Sequence, residues 1–132
     1  MSTRINYSSG AVWEDIVGYS RAVKMGNHIE VSGTVAADEN GNVIGRNDAY
    51  QQAIVALQKI EKALKQAGAS MKDVVRTRMF VTDISRFEEY ARAHGEVFSS
   101  IKPCTSMYEI KSLVSPEFLI EIEATAIIEN KE

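Results

Sequence analysis

The sequence predicts an α+β domain: one sheet with helices packed on one of its faces. Three observations carry this. The inferred order is β-β-(β)-α-β-α-β-β, with hairpins segregated from only two helices. The segment Leu119–Ile128 alternates strictly, so it has an apolar face and a mixed one. The chain has 132 residues, room for one domain spanning 1–132 and not for two ordinary cores.

Tyr19 to Met25 and Ile29 to Val35 read as two strands joined at Gly26-Asn27, where glycine first suits a type II′ turn. Asp38 to Asn42 is a second turn, and a short strand around Val43-Ile44 is expected after it. Asp48 with Gln51 forms a variant capping box and opens the clearest helix. Its stripe is Ala53, Leu57, Ile60, Leu64 and Ala67, and Gly68 ends it. Ser70 to Asp73 reads as a short turn and Val74 to Val81 as a strand. Ser85 and Glu88 are expected to cap a second helix with the stripe Phe87, Tyr90, Ala91, Val97 and Phe98. Cys104 to Ile110, a turn at Ser115-Pro116-Glu117 and a final strand from Leu119 complete the chain.

In that final strand Ile120, Ile122, Ala124, Ala126 and Ile128 share the face expected to meet the helices. Glu121, Glu123 and Thr125 share the other face with Leu119 and Ile127. In the strand before it, Arg76, Arg78 and Phe80 are expected to alternate against Val75, Thr77, Met79 and Val81. Two helices cannot cover both faces. A second face mixing carboxylates with Phe80, Leu119 and Met107 fits a partly buried subunit interface, and the chain is expected to be an oligomer.

Composition excludes several function classes. Net charge is −3 and the basic residues are scattered, so no footprint for nucleic acid is present. No apolar run approaches ~18 residues and no signal segment is seen, which reads as a cytoplasmic protein with no membrane partner. The single cysteine, Cys104, cannot form a disulfide within the chain and reads as a packing residue. The two histidines, His28 and His94, are far apart, and no metal-ligand cluster, glycine-rich phosphate loop or cofactor motif is expected. The best local signal for chemistry is the pair Glu121 and Glu123 on one strand face. Such a carboxylate orients water or binds an amino group; an inter-subunit salt bridge or a solvated face is the alternative.

Four segments carry a resemblance. Gly18-Tyr19-Ser20-Arg21-Ala22-Val23 resembles the "GPYSQAV" opening of the reactive intermediate deaminase (Rid) family, also called endoribonuclease L-PSP. Ile29 to Gly33 resembles its "(I/V)xxSG", Asp73 to Val81 its "DVVKTTVFV", and Leu119 to Ala126 its "VxIEIEAxA". The match runs in order from about Gly18 to Ile128.

The resemblance implies a chorismate-mutase-like α+β fold with a mixed sheet. It also implies a homotrimer with a barrel-like core and a small-metabolite cleft between subunits. The implied activity is hydrolysis of reactive enamines and imines to 2-oxo acids and ammonia. The arginine that clamps the substrate carboxylate lies in the family's "PARS", and here Pro103-Cys104-Thr105-Ser106 puts Thr105 in its place. Met107 replaces a nearby cysteine, Ala91 aligns with a helix asparagine, and the loop before Pro103 is shorter. The resemblance leaves Glu121 as the catalytic candidate and Tyr19, Ser32, Gly33, Thr105 and Met107 as substrate-binding candidates, with Arg78 a conceivable substitute clamp. A non-catalytic metabolite-binding protein, or a hydrolase for a substrate without a carboxylate, is the alternative; an endoribonuclease is the reading the acidic balance least favours.

Overall fold

A computed structural model describes residues 3–129. One six-stranded sheet runs in the order β1-β2-β3-β6-β4-β5. The strands are β1 (Arg4–Tyr7), β2 (Ala22–Met25), β3 (His28–Thr34), β4 (Val74–Val81), β5 (Cys104–Glu109) and β6 (Ile120–Ile127). Every pairing is antiparallel except β4 with β5, so the sheet is mixed. The helices are α1 (Val12–Val17), α2 (Ala49–Gln66) and α3 (Phe87–Phe98).

The long helix forms for the reasons its sequence shows. The Asp48 side chain accepts from the Gln51 amide, satisfying an orphan N–H of the first turn. The stripe from Ala53 to Ala67 is wholly buried against the sheet. Gln52, also fully buried, donates through Nε2 to the carbonyls of Gly45 and Glu117 and accepts from the Leu119 amide, which ties α2 to the entry of β6. Each Ile of β6 buried beneath this helix contributes about 1.5–3 kcal/mol.

The hairpin turn at Gly26-Asn27 has positive φ at Gly26 only, as a type II′ turn requires. Ser70 and Asp73 form a reciprocal capping box on a single 3₁₀ turn, where the sequence had suggested a simple turn.

Several expectations are corrected. Neither β1 nor α1 was foreseen. Helix α1 has only six residues and leaves Val12, Trp13, Ile16 and Val17 exposed, so it shows no amphipathic period to read. The strand expected at Val43-Ile44 is an isolated bridge from Val43 to Ala37. The second helix is not capped by Ser85. Asp83 accepts from the Ser85 amide and starts a 3₁₀ turn (Ile84–Arg86) that leads into α3 at Phe87, and Phe87 itself is exposed. Val75 does not share the buried face with Thr77, because the β4–β6 register shifts between Val74 and Arg76 and turns Val75 outward. Met107 is not on the face of Phe80 and Glu121: it pairs with buried Met79 and packs against the core on the helix side.

Candidate functional site

The residues singled out by sequence fall into two groups on opposite faces of the sheet. The first gathers around a β-bulge. Val31 pairs with Ala124 and Thr34 with Ile122, so Ser32 and Gly33 together face the single residue Glu123. Next to that bulge stands Glu121. A Cβ on residue 33 would lie 2.7 Å from Glu121 Cδ and 2.8 Å from Oε2, so only glycine allows this carboxyl to lie flat on the strand. Burial, and then the Glu123 charge, raise the Glu121 pKa above the usual carboxylate value, while Arg21 opposes them.

Arg21 braces the same place. Its Nη1 donates to the Gly33 carbonyl (3.1 Å) and to Thr34 Oγ1 (2.8 Å), and its guanidinium lies 5.7 Å from the centre of the Tyr19 ring. Ser32 Oγ donates to the Ser20 carbonyl. Tyr19 precedes β2 rather than belonging to it. With Ser32, Gly18 and Ser20 it lines an open groove of about 530 Å³ that also takes in Glu14 and Arg4. Sequence reasoning missed Glu14. This carboxylate is buried within α1 and receives hydrogen bonds from Ser9 N (3.0 Å) and Ser9 Oγ (2.6 Å). Burial acts to raise its pKa, but the hydrogen bonds from Ser9 and Ser8 and the charge of Arg21 bring it below the ordinary value. An acidic side chain amid serines was the available signal.

The second group sits at the β4–β5 edge. Thr105 pairs with Thr77, and Thr77 Oγ1 donates to Thr105 Oγ1 at 2.7 Å. Thr77 Oγ1 also bonds His94 Nε2 at 2.8 Å. His94 is half-buried against Phe98, and burial lowers its pKa. Thr105 and Met107 therefore do not meet Glu121 within one chain. Arg78 stands opposite Glu123 across the β4–β6 ladder, and Arg76 donates to Ser106 Oγ. Among the described residues no group of three or more His, Cys, Asp or Glu could hold a metal ion, and no helix is long and apolar enough to cross a membrane.

The fold and this bulge define a small α+β domain with a carboxylate laid against a strand glycine. The profile of endoribonuclease L-PSP matches residues 11–128, and the chain belongs to that family. It superposes on the crystal structure of a Mycobacterium tuberculosis member of the YjgF/YER057c/UK114 family with a TM-score of 0.86 and 46% identity, over 95% of this chain and 99% of that one. It is 33% identical to the 3-aminoacrylate deaminase RutC of Acinetobacter baylyi over 82% of this chain and 85% of the relative. It is also 30% identical to an uncharacterised protein of Streptomyces coelicolor, over 89% and 87% of the two chains.

Proposed function

We propose that this chain is a hydrolytic deaminase of small imines or enamines, working in the cytoplasm as a homotrimer with its cleft between subunits. The observation that carries the reading is the Glu121 carboxyl, half-buried, raised in pKa and seated against the Gly33 bulge. A carboxylate whose proton affinity is raised in this way is a stronger base toward water than an ordinary one. Water oxygen adds to the imine carbon, a proton reaches the nitrogen, and the carbinolamine collapses to a carbonyl and ammonia. Tyr19 and Ser32 flank the adjoining groove and are assigned to substrate binding. The deaminase named among the relatives supports this chemistry.

The inter-subunit cleft is supported by the separation of the two groups. Thr105 and Met107 lie on the helix side of the sheet and Glu121 on the other, so a ligand touching both needs a second copy of the chain. Light scattering at micromolar concentration is expected to give three times the chain mass; a monomer would remove the shared cleft. Where a carboxylate clamp would be charged, Thr105 offers one hydroxyl. Loss of a charge-assisted hydrogen bond costs about 1.5–3 kcal/mol, or roughly one to two orders of magnitude in rate.

The decisive assay is 2-oxobutanoate release from 2-iminobutanoate generated in place by a second enzyme. Slow turnover above the spontaneous rate is expected, raised about 10–100-fold by Thr105→Arg and abolished by adding Glu121→Gln. Release at the spontaneous rate by both the native chain and Thr105→Arg would overturn the hydrolase. The uncharged Thr105 would then favour the second reading, a metabolite-binding protein without catalysis.

A further inference from the structure

The unused polar feature of the molecule is the chain of hydroxyls on the helix side of the sheet. Thr77 has no exposed surface, and its neighbours on the same face of β4 are Val74, Met79 and Val81, all buried. Valine would fill this position with the same shape. The hydroxyl is tolerated because it is bonded on both sides: inward to His94 Nε2 at 2.8 Å and outward to Thr105 Oγ1 at 2.7 Å. Thr105 is exposed on the outermost strand of that end of the sheet. The three groups thus connect the surface to a half-buried imidazole with no gap longer than an ordinary hydrogen bond.

The environment of the imidazole is otherwise neutral. Strand β4 presents Thr77 to it, with Thr105 of β5 bonded to Thr77 behind, and its own helix presents Phe98 at 4.6 Å between ring centres. Among the described residues no carboxylate, lysine or arginine is hydrogen-bonded or ion-paired to His94. Burial alone pushes its pKa down. A neutral imidazole carries a proton on one ring nitrogen and a lone pair on the other, so the row of hydroxyls can point either way.

We propose that Thr105, Thr77 and His94 form a proton relay whose outer end, Thr105, exchanges protons with a small neutral ligand and whose inner end, His94, stores them. On the inward stroke a donor gives its proton to Thr105 Oγ1. Thr105 passes its own proton to Thr77 Oγ1, and Thr77 passes its own to His94 Nε2. Both hydroxyls are restored, His94 becomes imidazolium and the donor keeps its electron pair. The outward stroke reverses each transfer. No charge stands at Thr105 while His94 is neutral, so the ligand class that suits it bears an exchangeable N–H or O–H and no carboxylate: an imine, an enamine or a carbinolamine. That choice of ligand rests on the deaminase reading; the relay does not. Thr77 and His94 act through Thr105 and are positioning residues.

Water serves as the probe. The full chain, labelled at the imidazole nitrogens, has only two histidine rings to assign, His28 and His94. Saturation transfer from water measures how fast the His94 ring proton exchanges. Thr105→Val, which keeps the shape, is expected to slow that exchange by at least about tenfold, and Thr77→Val to slow it as much, while Thr105→Ser restores it. The exposed His28 ring is the internal control and should not respond. Unchanged exchange in Thr105→Val, or slowing that Thr105→Ser does not reverse, would overturn the relay. Imine turnover is measured separately, so the relay and the deaminase can each fail alone.

Discussion

The two faces of β6 are made by alternate residues of one strand, yet they obey different rules. Ile120, Ile122, Ala124 and Ala126 are at most 1% exposed and meet the helices, so close packing governs them. Glu121, Glu123 and Thr125 point the other way and are only partly covered in the single chain. On the first face volume decides what fits. On the second, charge and hydrogen bonding decide, and one glycine opposite determines where a carboxyl lies. The strand period of two puts a core and a candidate reaction surface within one segment.

The largest effect expected from breaking this contrast is on the packed face. Ile122→Ala should destabilise the fold by about 2–5 kcal/mol, read from chemical denaturation. Thr125→Ala, which removes a hydroxyl bonded to Glu30, should cost less than about 1 kcal/mol. Equal losses at the two positions would erase the distinction between the faces.

Gly33→Ala sharpens it. The new methyl meets the far end of a flexible side chain rather than backbone, so the Glu121 carboxyl swings aside and stability changes by less than about 1 kcal/mol. The carboxyl carbon signal of Glu121 should then titrate closer to the ordinary carboxylate range, because burial is the first cause of its raised value. An unmoved titration would show that Gly33 does not hold the carboxyl in place.

The smallest effect is a pH dependence. With its folded pKa raised, Glu121 binds a proton more tightly in the folded than in the unfolded chain. Its contribution to stability is fully present below the unfolded pKa and is lost as pH rises through the folded one. Glu121→Gln removes that loss. The variant should match the native chain below about pH 4 and exceed it at pH 7 by on the order of 1 kcal/mol or less. A variant less stable at pH 7 would mean that the ionised carboxylate is held favourably rather than strained.

Much of the fold was legible because burial imposes a period. The stripe of α2 and the alternation of β6 from Ile120 to Ala126 each repeat over several turns or pairs, and both stand as read, whereas Leu119, expected on the carboxylate face, packs against the core. Short or irregular segments escaped. Helix α1 has six residues and β1 four, too few to display a period. The bulge at Val75 shifts phase by one residue, and strand alternation carries no warning of that. Met107 was placed on the wrong face because the side a strand presents depends on its register with a neighbour, and parallel pairing with β4 sets that register.

The candidate site divides in the same way. The types and spacing of Glu121, Ser32 and Gly33 could be read in one dimension, along with the replacement of a charged clamp by Thr105. The sequence by itself determined the α+β class, two long helices, the β6 alternation and the family motifs, because these rest on local period and composition. Only the tertiary structure decided that Gly33 lies under Glu121, that Arg21 braces the bulge, and that Thr105 reaches His94 through Thr77. Those contacts join residues 12 to 88 positions apart, and their geometry follows from strand order and register, which no single segment encodes.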